Sequence, residues 1–143
     1  MNTRKIVFIS FVFFILNFIW EISQAFLYAP HYVGISGLIT VHLRASLGDI
    51  LIIFVILLLD VIIFSRIFQE KTGPWRFLAI FLAGFVLAVL VEKYALANGR
   101  WAYNDMMPII PGLNVGLAPI LQMMLIPSSV IMILERLKKK YHL

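Results

Sequence analysis

Four apolar stretches, each long enough to cross a lipid bilayer, fill most of this 143-residue chain, and nearly all of them carry an acid or an amide near the same end. Read as helices they run Ile6–Tyr28, Leu47–Arg66, Trp75–Ala97 and Val115–Leu134. A span of about 20 apolar residues crosses the hydrocarbon core, so each qualifies. A charged side chain at that depth costs roughly 2.5–3.5 kcal/mol on insertion scales, so it usually faces a protein interior and usually has a function. Glu21, Asp49, Glu92 and Gln122 therefore carry more information than the apolar bulk around them.

With 62% hydrophobic and 13% charged residues, the chain has too little polar surface for a soluble domain of this length. The expectation is an all-α, polytopic membrane protein: one domain, residues 1–143, built as a four-helix transmembrane bundle. A bundle this small has a limited interior, and helices from a second copy in a homo-oligomer could help to enclose a site. Arg4 and Lys5 before the first run, with Ser23-Gln24-Ala25 after it, loosely resemble a signal peptide. The run is too long for one and contains Asn17 and Glu21, so a retained first helix is expected.

There is no cysteine, which excludes thiol catalysis, disulfide exchange and iron–sulfur clusters. The net charge of +5 maps to topology rather than to nucleic acid. Nine of the twelve basic residues lie at the N-terminus (Arg4, Lys5), in the second connection (Arg66, Lys71, Arg76) and in the tail (Arg136, Lys138, Lys139, Lys140). The other two connections hold Arg44, Lys93 and Arg100. By the positive-inside rule both termini are expected on the cytoplasmic side of the cell membrane, with the tail touching anionic lipid. Nucleic acid is not an expected partner.

The connections differ in character. Residues 69–75 are short and polar, with Gly73-Pro74 as a turn and Trp75 at the interface. The two outer connections are longer. The second, Asn98 to Asn114, mixes amides, aromatics, a charge pair and two prolines. Loops of this length usually bind or cover something.

Helical spacing sorts the polar residues into stripes. The first helix aligns Asn17, Glu21, Gln24 and Tyr28. The second aligns Asp49, Ile53, Ile56 and Asp60. The third aligns Gly84, Ala88, Glu92 and Ala95, a small-residue face that permits close helix approach. The fourth places Gln122 and Ser129 together, with Pro119 and Pro127 as expected kinks. A rise of about 1.5 Å per residue puts Glu21, Glu92 and Gln122 at a common depth in the outer half, with Asp49 shallower and Asp60 far toward the cytoplasm.

Each polar residue also has a purely structural reading. Glu21 could pair with Arg44 or Arg100. Glu92 turns inward while Lys93 snorkels to the interface. Ser46-Leu47-Gly48-Asp49 fits a capping box at the start of the second helix. Asp60 could pair with Arg66 or meet cytoplasmic water. Gln122 could join helices through hydrogen bonds. His42 and His31 have no second ligand at metal spacing, so no metal and no cofactor are expected. Trp101 and Tyr103 suit an aromatic belt, and their company with Arg100, Asn104 and Asp105 suits a headgroup-binding loop. The planar fork of Arg100 makes it the best anion hook on that face.

Two segments, Trp20-Glu21-Ile22-Ser23-Gln24 with Leu27-Tyr28, and Gly99-Arg100-Trp101-Ala102-Tyr103 continuing to Met107-Pro108, Gly116-Leu117 and Gln122, resemble small four-helix bacterial integral membrane proteins of unknown function. The resemblance implies a fold and no activity.

Two classes of function remain. In the first, the chain is a membrane-embedded enzyme acting on a lipid or isoprenoid, with Glu21, Glu92 and Asp49 as its acids and bases. Gln24, Arg44, Arg100, Trp101, Tyr103, Asn104 and Gln122 would bind the substrate. In the second it is a dimeric proton- or cation-coupled transporter or channel. An enzyme needs one enclosed polar cluster. A transporter needs a polar route to both sides, for which Asp60 is the sole inner candidate. An assembly subunit whose polar residues only join helices is the non-catalytic reading.

Overall fold

The computed structural model describes residues 3–64 and 74–141 and is mostly helical. Helix α1 covers Thr3–Gln24 and closes in a 3₁₀ turn, Ala25–Leu27. Helix α2 covers Gly34–Leu59 and loosens into a π turn, Asp60–Phe64. Helix α3 covers Pro74–Ala97. A two-stranded antiparallel hairpin, β1 (Ile109–Ile110) and β2 (Val115–Gly116), leads into α4, Leu117–Tyr141. All four helices are long and apolar enough to cross a membrane. Their outward faces bear large apolar side chains such as Phe8, Phe11, Ile19, Leu51, Leu58, Leu82 and Leu90. Such a surface suits hydrocarbon, because the helices satisfy their own backbone groups.

The expected second span starts too late. The helix begins at Gly34 rather than Leu47, and Asp49 lies well inside it. Ser46 is accordingly no helix cap: its hydroxyl donates back to the His42 carbonyl at 2.7 Å, the bond a mid-helix serine makes. Asp49 is therefore not shallow, and stands level with Gln122. The fourth helix runs on past Leu134 to Tyr141. Arg66, Lys71 and the Gly73 turn position lie outside the described residues.

Packing follows the stripes. On α3 the buried residues include Gly84, Ala88, Glu92 and Ala95; on α2 they include His42, Ser46, Ile53 and Ile56. The main core gathers Phe13, Ile53, Ala88, Val115, Ile120, Met123, Ile126 and Val130. Helices α3 and α4 come into close contact at Gly84, where any β-carbon would overlap the Met123 carbonyl. Pro127 explains that carbonyl. Lacking an N–H, it cannot bond the oxygen four residues earlier, which is Met123. The freed carbonyl turns toward α3, and only glycine leaves room for it.

The end of α3 aims the long loop. Gly99 adopts a left-handed φ of 61°. Its N–H bonds Leu96 O at 3.1 Å and the Arg100 N–H bonds Ala95 O at 2.9 Å. This is a Schellman closure, in which glycine relieves the steric cost of the left-handed residue. The chain then folds back over the bundle and pairs with the segment that follows α1. Ala29 N donates to Ala102 O at 2.9 Å, and Asn104 N to Leu27 O at 3.1 Å. The Asn104 side chain adds bonds to the carbonyls of Phe26 and Tyr28. The loop is thus pinned over the ends of α1 and α3.

Candidate functional site

Beneath that pinned loop, side chains from all four helices form a polar cluster. Trp20 Nε1 donates to Gln24 Oε1 at 3.2 Å. Gln24 Nε2 donates to Glu21 Oε1 at 2.8 Å and to Gln122 Oε1 at 3.1 Å. Gln122 Nε2 donates to Asn17 Oδ1 at 2.9 Å and to Asp49 Oδ2 at 2.8 Å. Asn17 Nδ2 ends the chain on the Phe13 carbonyl at 2.8 Å.

The direction of this relay is fixed by its two ends. An indole N–H can only donate and a main-chain carbonyl can only accept. The Gln24 oxygen must then face Trp20, which turns its amide nitrogen to Glu21 and Gln122. The Gln122 nitrogen must in turn face Asn17 and Asp49. Each buried amide is satisfied; Asp49 takes its donor from Gln122, and Glu21 takes the short one from Gln24 with the Gln122 amide also beside it. Amides at these positions serve two ends at once: they join α1, α2 and α4, and they orient two acids.

Glu92, on α3, is held from above. Trp101 Nε1 donates to its Oε2 at 3.3 Å, and the Tyr103 hydroxyl donates to the same oxygen. The Tyr103 oxygen itself accepts the Gly116 N–H at 2.9 Å. Gly116 packs closely under this pair: an added β-carbon would stand 2.8 Å from the Met107 sulfur and 3.1 Å from the Tyr103 ring, so those side chains would have to shift.

Tyr28 joins the two halves. Its ring lies 5.6 Å from that of Tyr103. Burial pushes its phenol well above the ordinary range, and the charges of Glu92, Glu21, Tyr103 and Asp49 push it further in the same direction. One phenol therefore senses all three acids. Burial likewise raises the Tyr103 phenol, helped by its bond to Glu92. Both phenols stay neutral and able to donate.

Among the described residues, no buried side-chain oxygen or nitrogen lacks a hydrogen-bond partner. Glu21 Oε2, Asp49 Oδ1 and Glu92 Oε1 accept no hydrogen bond among those residues and are the oxygens left for a ligand. Among the described residues no group of three or more His, Cys, Asp and Glu side chains is arranged to hold a metal ion.

The structure brings Glu21, Asp49, Gln24, Gln122, Glu92, Trp101 and Tyr103 together. It leaves out the arginines. Arg44 is exposed on α2, and Arg100 is exposed with its guanidinium 5.5 Å from the Tyr94 ring centre. Glu21 pairs with neither. Asn104 serves the loop and not the cluster. Trp101 and Tyr103 point their polar atoms inward to Glu92 and not outward as an interfacial belt. The ion pairs among the described residues lie elsewhere: Arg76 bridges Asp60 and Glu135. Arg76 is thus a partner of Asp60; the expected Arg66 lies outside the described residues.

Sequence reasoning passed over Asn17, Trp20 and Tyr28 as site residues. The signal was present, because Asn17, Glu21, Gln24 and Tyr28 share one helical stripe. A second group also assembles: His31 and His42 lie 5.6 Å apart by ring centres, with Tyr32 against both. Each histidine has its Nδ1 bonded to a main-chain carbonyl.

No protein-family model, no curated protein and no solved structure matches this chain. What the site does must be argued from its own residues.

Proposed function

We propose that this chain is a membrane-embedded enzyme that moves protons on a lipid or isoprenoid substrate, using carboxylates as acid and base. The observation that carries the reading is the gathering of Glu21, Asp49 and Glu92 beneath one pinned loop, beside Trp20, Tyr28, Trp101 and Tyr103. An apolar chain bound there would meet a proton donor and a proton acceptor. Protonation of a carbon–carbon double bond uses its π pair to form a C–H bond and leaves a carbocation. Aromatic faces stabilise a cation of this kind. Loss of a neighbouring proton to a second carboxylate restores a double bond at a new position; where the π pair of a second double bond in the chain first attacks the cation, a ring closes before that loss. No oxidant is consumed.

The transporter reading is less well supported. A polar route to the other end would have to pass Ile53, Ile56 and Ile80, all at most 1% exposed. Asp60 beyond them is occupied by Arg76. The remaining architecture belongs to the same proposal. The four helices cross the cell membrane as a bundle, both termini are cytoplasmic by the distribution of lysine and arginine, and the site lies in the outer half. Membrane lipids are the partners, and every residue of the site comes from one chain.

Two paired assays on protein in vesicles of total bacterial lipid with added polyprenols test the proposal. In D₂O buffer, mass spectrometry should find deuterium entering a lipid or polyprenol. A pH-sensitive dye inside the vesicles should report no added proton flux. Flux without deuterated product would overturn the enzyme reading in favour of a transporter.

A further inference from the structure

Resting on the enzyme reading, we propose that Glu92 Oε1 is the atom that takes the substrate proton, and that Tyr103 is the positioning residue that fixes it in this role. The argument is a count of donors and acceptors. Trp101 Nε1 can only donate, so Glu92 Oε2 must accept from it in any state. The Tyr103 oxygen already accepts the Gly116 N–H, and its own proton has one acceptor among the described residues, again Glu92 Oε2. Were Glu92 to carry a proton on Oε2, both that proton and the phenol proton would compete for the Tyr103 oxygen, and one would be stranded. Oε2 is therefore a fixed acceptor of two donors, which stabilises negative charge on the carboxylate.

That leaves Oε1. It has no donor among the described residues, so a proton arriving at Glu92 must land there. Glu21 and Asp49 are held differently. Their donors are side-chain amides, where Glu92 has an indole and a phenol on one oxygen. The reaction acquires a direction: the Glu21–Asp49 pair gives the proton to the double bond, the cationic chain loses a neighbouring proton to Glu92 Oε1, and that proton returns to the pair before the next turnover.

The loop supplies the control. Tyr103 reaches Glu92 only because the Schellman turn at Gly99 folds the chain back and the strand-like bridge between Tyr28 and Tyr103 pins it there. A loop that lifted would remove both donors from Glu92 at once.

Infrared spectroscopy on glutamate-labelled protein in nanodiscs tests the assignment without any turnover. The wild type should show a carboxylate band that Glu92→Gln removes. Tyr103→Phe should convert that band to a protonated carbonyl band, and Trp101→Phe, a milder change, should shift it in the same sense. If the Glu92 band in the wild type is already that of a protonated acid, the assignment is wrong. It is equally wrong if both variants fold and leave the carboxylate band unmoved. The deuterium assay separates the two proposals. Glu92→Gln that still deuterates lipid at the wild-type rate overturns the role of Glu92 while the enzyme reading stands. The expected infrared result in a protein that deuterates no lipid keeps the hydrogen-bond assignment and removes the reaction.

Discussion

Gln122 Nε2 lies 2.8 Å from Asp49 Oδ2, a bond between residues 73 positions apart that ties α4 to α2 inside the apolar bundle. The same nitrogen serves Asn17, so one amide holds three helices. Gln122→Leu should strand Asn17 and Asp49, at about 1–3 kcal/mol for a buried group left unpaired. Gln122→Glu has the right size but offers no second donor, and should be as damaging. Unfolding in mixed detergent micelles measures both. A loss of only a few tenths of a kcal/mol would mean that the relay does not hold the helices.

A second expectation concerns two glycines of opposite character. Gly84→Ala should force α3 and α4 apart against the Met123 carbonyl and cost about 1–3 kcal/mol, as overpacking does. Gly48 sits within α2 with nothing within 4 Å of an added β-carbon. Gly48→Ala should be neutral or stabilise by up to about 1 kcal/mol, by the helix preference of alanine. The same unfolding assay reads both, and similar outcomes for the two would undo the account of the Met123 carbonyl freed by Pro127.

The stripes were legible in the sequence because burial in a bundle follows helical spacing. Gly84, Ala88, Glu92 and Ala95 face inward as their period requires. The start of α2 was hidden. Gly34, Gly37 and Thr40 are weak helix formers, and Arg44 breaks the apolar run, yet Leu38, His42 and Ser46 continue the stripe of Asp49 and Ile53 backward. Packing against α1 overrides propensity there. The inward turn of Trp101 and Tyr103 had no sequence signal, since a loop has no period. It depends on Gly99 reversing the chain and on backbone pairing with residues 27–29. The alternative in which Glu21 pairs with Arg44 or Arg100 is not seen, because neutral amides occupy its oxygen instead.

Topology is open to direct labelling, since the chain has no native cysteine. Asp105→Cys lies on the exposed loop over the site, and Lys139→Cys lies in the basic tail. A membrane-impermeant maleimide applied to whole cells should label the first and reach the second only after lysis. Equal labelling of both in intact cells would reverse the membrane assignment.

Tyr28 gives a pH signature. Its phenol is raised in the folded state, so the folded protein holds that proton more tightly than the unfolded chain does. The associated stability is fully present below the unfolded value of about 10 and falls as pH rises beyond it. Tyr28→Phe removes this dependence and breaks no hydrogen bond among the described residues. Stability measured at about pH 8 and about pH 11 should fall less in the variant than in the wild type. An equal or larger fall in the variant would mean that Tyr28 does not sit among the acids.

The central claim is that Glu21, Asp49 and Glu92 form one proton-transfer site, and deuterium uptake by lipid across a variant set tests it most directly. Glu21→Gln, Asp49→Asn and Glu92→Gln should each lower the rate of uptake at least about 100-fold, the low end for loss of a general acid or base. Asp60→Asn, at the opposite end of the bundle, should leave the rate within about twofold of the wild type whatever it costs in stability, for lack of any contact with the site. Uptake that survives loss of any one of the three acids, or that depends on Asp60 as strongly as on them, would contradict the account.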